Sequence, residues 1–455
     1  MFGRVLDEPP LSAWGQCVRF GPTLPPPWAV ERVSRRMKNY RRSFIKKCAG
    51  LSALLGFSLS GRGAAGGSLT ARPTSDKKTF VTAHFFSGNG DVPEDLFGDL
   101  CLMRKGSPQM TYSGSPTTIE PIATREEWLV KKQALRDIFT MILGYPPPGQ
   151  DCSLSIKIES EKDQGDYTER RVSYLLSPGE RVASLVLVPK SARKPGPAVL
   201  TIHPTTKDGK EQTVGRGEKI DGQVTPAAQR RAYGLHLVRR GYVTFSPDLL
   251  GAGERIYAGR REFDNQPFID AHPTWSGTGK DLWDLRRAID VMQTIPEIDP
   301  ERIASIGHSQ GAGLTCYLAA IDERVKVAVS NCGVWPARIH RNPFHQARTQ
   351  WWTGQPANRP FCYAGKPFPI DDHELLALAA PRPYLNISAL NDSGFKPEDE
   401  AFTRPAWENL GSNVKKIYAL LGAKDRFELR LHLDAHDFHD PMRELAYAFL
   451  DRHLK

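Results

Sequence analysis

Residues 124–455 are expected to fold as an α/β domain with a mostly parallel, doubly wound sheet and helices on both faces. Three observations predict it. From Ala198 onward, short apolar runs alternate with segments of helical periodicity, the pattern made by parallel strands joined through crossover helices. One such run, 303–306, passes directly into Gly307-His308-Ser309-Gln310-Gly311 and then into small residues that open a helix. Strands of antiparallel character precede the alternation, as at the edge of such a sheet.

The elements follow in order. Thr124-Arg125-Glu126-Glu127 is a capping box, and Trp128, Leu135, Ile138, Phe139, Ile142 and Leu143 form an apolar stripe that stops at Gly144, before three prolines. Leu154, Ile156 and Ile158 alternate, and the runs 174–176 and 185–188 flank a turn at Ser177-Pro178-Gly179, which reads as antiparallel pairing. Strands are then expected at 198–202, 243–245, 303–306 and 325–329, with helices at 232–240, 282–295 and after Ser309. The stretch 334–370 breaks this rhythm, setting Trp335, Phe344, Trp351, Trp352, Phe361, Tyr363 and Phe368 among Pro, Gly and Arg, and it reads as a cap insertion. A strand at 384–388, a helix at 407–421, a strand at 427–433 and a last helix carrying Met442, Leu445, Ala446, Phe449 and Leu450 complete the chain. This element order is that of the α/β-hydrolase fold.

The N-terminal region has a different character. Arg41-Arg42-Ser43-Phe44-Ile45-Lys46-Lys47 precedes an uncharged apolar stretch, 49–59, too short to span a bilayer, with Gly63-Ala64-Ala65 as a small-residue cleavage site beyond it. Residues 37–65 are therefore expected to be a twin-arginine signal peptide. Met37 is the expected start, and 1–36 carry no fold. The expected partner is the twin-arginine export machinery, the expected location periplasmic or extracellular, with no stable membrane anchor after processing. Residues 66–123 read as an irregular arm rich in Gly, Ser, Thr and Pro. Of the net charge of +10, residues 1–72 supply +9 through 12 basic and 3 acidic side chains, leaving 49 basic against 48 acidic in the rest. No electrostatic case for a nucleic-acid partner survives that division.

Of the seven cysteines, five (Cys101, Cys152, Cys316, Cys332, Cys362) lie beyond the leader, and none forms a C-x-x-C pair, so neither a zinc site nor a redox pair is indicated. Cys316 and Cys332 read as small buried hydrophobes. No internal repeat is visible, which disfavours an accessory propeller.

The strand–G-x-S-x-G–helix layout makes Ser309 a candidate nucleophile, exposed on a sharp turn whose glycines let neighbouring backbone approach. A serine hydroxyl needs a base to take its proton and an acid to orient that base. Asp392 follows the 384–388 strand at the sheet's carboxyl edge and is the favoured acid, with Asp371, Asp372 and Glu374 as rivals. His436, between the last strand and the last helix, is the favoured base; His432, His439 and His453 are the other histidines nearby. Two backbone N–H groups should form an oxyanion hole, those of Gln310 and of Thr205 in the loop His203-Pro204-Thr205, since Pro204 has no N–H to give. His203, Trp275 and Trp335 are candidate substrate-binding residues, tryptophan offering a flat apolar face to a sugar ring, as could Trp351 and Trp352. Arg255, Arg338 and Arg382 are candidates to face a carboxylate, although ion pairing elsewhere is the commoner fate of such residues.

Several motifs together resemble the acetyl xylan esterase and dienelactone hydrolase-like group of α/β-hydrolases over about residues 124–455. They are Gly251-Ala-Gly-Glu-Arg255 after Pro247-Asp248, Trp283-Asp284 through Asp290, Ile298 through Ile303, Asp322-Glu-Arg324, His373-Glu374, Ala380-Pro-Arg-Pro383 and His436-Asp-Phe438. The resemblance implies a secreted carboxylic-ester hydrolase without cofactor or metal, often acting on acylated plant polysaccharide, and maps nucleophile, acid and base onto Ser309, Asp392 and His436. Two departures narrow it. Dienelactone hydrolases have cysteine where this chain has Ser309, and glucuronoyl esterases carry Arg and Lys where this chain has Gln310 and Gly313. A small-molecule or saccharide ester is the expected substrate. A prolyl-oligopeptidase-type peptidase and a non-catalytic binding protein of the same fold remain the alternatives; the second would require a broken triad.

Overall fold

Nine strands form one twisted sheet that places five carboxyl-end loops side by side. The computed structural model describes residues 98–105, 118–191, 194–340, 342–348, 354–392 and 400–455. The chain divides into two units, residues 1–70 with 104–119 and residues 71–103 with 120–455; the second carries the sheet and is the one described. The leader, most of the arm, Trp351 and Trp352 lie outside the described residues. Among the described residues no helix is long and apolar enough to cross a membrane.

The strands are β1 (Lys157–Asp163), β2 (Tyr167–Ser177), β3 (Glu180–Pro189), β4 (Gly196–Ile202), β5 (Val243–Ser246), β6 (Ile298–His308), β7 (Val327–Asn331), β8 (Tyr384–Ala389) and β9 (Phe427–His432). Their spatial order is β9-β8-β7-β6-β4-β5-β3-β2-β1. The run from β9 to β5 is parallel, and β3, β2 and β1 extend it antiparallel. This is the doubly wound sheet expected from the alternation of apolar runs and helices, with antiparallel strands at one edge.

Helices α1 (Arg125–Leu143), α2 (Tyr233–Arg239), α3 (Gly277–Met292), α4 (Gln310–Ile321), α5 (Asp372–Leu378), α6 (Glu400–Leu420) and α7 (Asp440–Leu454) cover the sheet. Side chains alternate across each strand. Val199, Ala304, Ile306, Val329 and Ile387 thereby meet Tyr233 and Leu237 of α2 and Tyr447, Phe449 and Leu450 of α7 in one buried core. On the opposite side of β6, Ser305 Oγ lies 3.1 Å from Thr315 Oγ1 of α4. Helix α1 begins in the expected capping box: Thr124 Oγ1 accepts the Glu127 N–H, and Glu127 accepts the Thr124 N–H.

Several boundaries differ from the sequence reading. Helix α3 starts at Gly277, five residues before the expected start, because the Ser276 hydroxyl accepts the Gly279 N–H and caps two low-propensity glycines into the helix. Helix α6 runs from Glu400 through Pro405 where a start at Trp407 was expected. Burial of Ala406, Trp407, Leu410, Val414 and Ile417 on its inner face offsets the one N–H that the proline lacks. Strand β6 is longer at both ends than 303–306.

The described part of the cap insertion has short helical pieces, Pro343–His345, Pro356–Asn358 and Arg359–Ala364, and a core of its own around Ala337, Ala347, Cys362 and Phe368. None of the five described cysteines is in a disulfide, and Cys316 and Cys332 are buried.

Candidate active site

The strand register brings the site together. Gly307 pairs with Ile202, His308 with Asn331, Asn331 with Ile387, and Ala389 with His432. The carboxyl ends of β4, β6, β7, β8 and β9 therefore lie along one edge, and the loops that follow carry Thr205, Ser309, Trp335, Asp392 and His436. That edge is where ligands bind in open parallel sheets.

Ser309 occupies a strained turn at φ 57° and ψ −123° between β6 and α4. The flanking glycines are there for space. A Cβ on Gly307 would collide with the Gly311 carbonyl, and one on Gly311 with the carbonyl of Ile202 at the end of β4. Ser309 is 7 % exposed. Its Oγ lies 2.8 Å from Nε2 of His436, whose Nδ1 lies 2.8 Å from Oδ2 of the buried Asp392. A carboxylate at Nδ1 favours the proton on that nitrogen and leaves Nε2 free to accept from the serine hydroxyl. The structure thus joins the three expected residues in one hydrogen-bonded chain.

Residues outside the motif hold that chain. The His436 ring packs between His308, at 4.8 Å between centroids, and Trp335, at 5.7 Å. Asn331 Nδ2 donates to His308 Nδ1 and to the Asp437 carbonyl. Asn391 ties the acid's loop to the base's loop, its amide donating to the Leu433 carbonyl at 2.7 Å and its oxygen accepting the Ala435 N–H at 3.0 Å. Sequence reasoning missed His308, Asn331 and Asn391. The only available signal was that each sits within three residues of a strand's carboxyl end.

The rivals have other tasks. Asp371 caps α5 and accepts the N–H groups of Ala337 and Arg338, and Asp372 accepts from the Trp335 N–H, the Gln346 amide and the Tyr317 hydroxyl. Both buried carboxyls pin the cap insertion to the domain. Glu374 completes the α5 capping box. His432 Nδ1 accepts the Asp434 N–H, and His439 Nε2 lies 3.0 Å from Asp434, so the His432–Asp434–His439 group is a hydrogen-bonded turn. His453 packs on Phe449 in α7.

Burial, reinforced by Asp371 beside it, raises the Asp372 carboxyl from 3.8 to about 7. Between those values the folded chain binds more protons than the unfolded one, so this group's contribution to stability falls as pH rises through that interval. In urea unfolding, the stability of Asp372→Asn relative to wild type is expected to shift in the variant's favour from pH 4.5 to pH 7.5. A constant difference would show that Asp372 does not titrate in that range.

The oxyanion candidates sit together. Gln310 is the first residue of α4, so its N–H has no acceptor inside the helix. The Thr205 hydroxyl donates to Gln310 Oε1 at 3.3 Å, which joins the two loops. The Gln310 side chain is buried, yet its Nε2 has no partner among the described residues. Leaving such a donor unpaired costs about 1–3 kcal/mol.

Two substrate-binding expectations are corrected. His203 is fully buried, its Nε2 accepting the Leu249 N–H at 3.0 Å and its Nδ1 facing the Pro204 carbonyl at 2.7 Å, so it supports the loop and offers a substrate nothing. Trp275 is packed among Leu250, Phe268 and Trp283 in a separate apolar cluster, because the α3 N-terminus turns it inward. Trp335 does reach the site. It lines a cavity beside the serine with Gln310, Leu314, Tyr317, Gln346 and Gln355. Of the arginines, Arg255 pairs with Glu180 and Asp284, Arg338 lies near Asp371, and Arg382 donates to the carbonyls of Ala319, Asp322 and Val325.

Comparison with known proteins agrees with this architecture. The Abhydrolase family Abhydrolase_7 matches residues 109–333. The protein YtaP of Bacillus subtilis (strain 168) is 25 % identical over 275 residues, 60 % of this chain and 84 % of that protein. Carbohydrate esterase MZ0003, from an unknown prokaryotic organism, is 29 % identical over 187 residues, 40 % of each chain. A glucuronoyl esterase from Solibacter usitatus superposes with a TM-score of 0.56 at 18 % identity, covering 74 % of this chain and 95 % of that one. Sheet order, elbow geometry and these similarities give the chain the α/β-hydrolase fold, with residues 109–333 similar to the Abhydrolase_7 family.

Proposed function

We propose that this protein is a serine carboxylic-ester hydrolase that removes acyl groups, acetyl above all, from a carbohydrate such as xylan through an acyl-enzyme. The observation that carries the reading is the unbroken chain Ser309 Oγ–His436 Nε2 and His436 Nδ1–Asp392 Oδ2, each link 2.8 Å long. His436 would take the Ser309 proton as Oγ attacks the ester carbonyl. The oxyanion so formed would be met by the N–H groups of Gln310 and Thr205. Collapse expels the alcohol, which leaves with the proton from His436. Water, deprotonated by the same imidazole, then releases the acid and restores Ser309. An export signal suits a polymeric substrate outside the cytoplasm, and the likeness to a carbohydrate esterase points to the same class. N-terminal sequencing of the exported protein would test the signal, with an unprocessed leader overturning it.

The functional test is acetate release from acetylated xylan, run beside a Pro-containing chromogenic peptide. Acetate release without peptide cleavage is the expected result. Peptide turnover without acetate release would replace the esterase by the peptidase reading.

A further inference from the structure

We propose that His432, Asp434 and His439 form a binding site for a zinc-type divalent metal ion, on the loop that carries His436. The inference goes beyond the ester-hydrolase reading and does not depend on it.

Two rigid elements hold the outer ligands. His432 closes β9, Asp434 follows in the loop, and His439 is the residue before α7. Asp434 Oδ2 lies 3.0 Å from His439 Nε2 and 3.7 Å from His432 Nδ1, and one ligand atom from each residue lies within 4.8 Å of the other two. Zinc bonds of about 2.0–2.2 Å in a tetrahedron set ligand atoms about 3.4 Å apart. The two measured separations fall on either side of that value.

The histidine rings are presented as ligands. A metal-bound histidine engages its second ring nitrogen with a neighbour, which fixes the ring. His432 does so: its Nε2 lies 3.6 Å from Cys332 Sγ, and its Nδ1, which accepts the Asp434 N–H at 3.2 Å, carries the lone pair. An ion would take that lone pair, and the displaced N–H of Asp434, whose side chain is 58 % exposed, would turn to water. On His439, Nδ1 has no partner among the described residues. Apart from the Asp434 contact that the ion would replace, no hydrogen bond then fixes its ring proton, and Nε2 can offer its lone pair. The exposed side of Asp434 leaves a further coordination position to water.

Two imidazoles and a carboxylate suit Zn²⁺, Co²⁺, Ni²⁺ or Cu²⁺ rather than Mg²⁺ or Ca²⁺, which take oxygen ligands. His436 lies between Asp434 and His439 in the chain, so the ion would tie β9 to α7 across the segment that presents the proposed base. Cysteine spacing gave no sign of such a site, because its ligands are histidines brought together by a turn.

The test is calorimetric titration with Zn²⁺ of protein purified without a polyhistidine tag and stripped with a chelator, for wild type, His439→Gln, Asp434→Asn and Cys332→Ser. Wild type and Cys332→Ser should bind one ion. Both ligand variants should bind about a hundredfold more weakly or worse, since even the partners of metal ligands are worth about 10–100-fold in affinity. In wild type, Zn²⁺ at a hundredfold excess over Kd should raise Tm by about 5 °C and slow hydrogen exchange over 433–438. Co²⁺ should give the visible absorption of a tetrahedral nitrogen and oxygen site, a readout that needs no variant. Metal-free melting curves show whether each variant is folded, and either ligand variant alone suffices. No Zn²⁺ binding by wild type, unchanged affinity in a folded ligand variant, or unchanged exchange over 433–438 would overturn the site. Binding lost in Cys332→Ser but kept in His439→Gln would overturn it too, moving the ion to Cys332, Asp392 and His436, whose ligand atoms also lie within 4.8 Å of one another.

Discussion

Ser309→Ala should lower kcat for 4-nitrophenyl acetate by a factor on the order of 10⁴ to 10⁶, the loss typical when a triad nucleophile is removed. The chain should fold as before. Ser309 starts α4 without making a side-chain cap hydrogen bond, so its hydroxyl stabilises no helix end. Its 2.8 Å contact to His436 is the one link that the variant deletes. Mass spectrometry after a fluorophosphonate probe should find one phosphonyl group per wild-type chain, on Ser309, and none on the variant. Activity within tenfold of wild type, or labelling elsewhere, would remove Ser309 from the chemistry and leave the hydrogen-bonded chain as a structural feature.

The second large effect concerns stability. Asp248 and Lys210 are buried together, with Nζ 2.5 Å from Oδ2, and the Lys210 N–H donates to Oδ1 at 2.7 Å. Asp248 also accepts the Glu254 N–H at 3.1 Å, while Glu254 receives Lys210 Nζ and a fork from Arg171. Removing Asp248 leaves the buried Lys210 with only the half-exposed Glu254 as a partner and takes away the acceptor of two backbone N–H groups, a loss approaching the cost of breaking a buried pair, about 3–5 kcal/mol. Asp248→Ala is expected to lower stability in urea by that amount. A double replacement by apolar residues, Lys210→Met with Asp248→Leu, should cost less because no charge is left unpaired. Equal losses in single and double variants would show that hydrogen bonding to the backbone, not the charge pair, is what matters.

The same pair bears on activity. The loop with Thr205 lies between β4 and Lys210, and it is clipped to the loop after β5 by Leu249 N–H to His203, Gly253 N–H to the Lys207 carbonyl, and Lys210 to Asp248 and Glu254. In Asp248→Ala kcat should therefore fall well below wild type at temperatures where the variant is still folded. The motif Gly251-Ala-Gly-Glu-Arg255, conspicuous in the sequence, finds its place here as the partner of the loop that carries Thr205.

How much was legible in advance depended on whether local or long-range forces set each feature. The capping box at Thr124, the parallel sheet with its antiparallel edge and the elbow were readable because periodicity and glycine placement are local signals. The starts of α3 and α6 were not, since Ser276 and the buried face around Trp407 override the low helix propensity of Gly277, Gly279 and Pro405. Among the aromatic residues, composition could not separate Trp335, which reaches the candidate site, from Trp275, which packs in a core.

By itself, the sequence determined the fold class, the order of strands and helices, and the chain order in which Ser309, Asp392 and His436 appear. Those follow from repeat periods of two and 3.6 residues and from the sharp turn that only small residues permit. The tertiary structure alone decided that Asp392, not Asp371 or Asp372, faces His436, that His203 is buried, and that the buried Gln310 Nε2 has no partner among the described residues. Each of these is a matter of which side chains meet across strands distant in sequence, and strand register, which a one-residue slip would invert, fixes those meetings only when the whole sheet has formed.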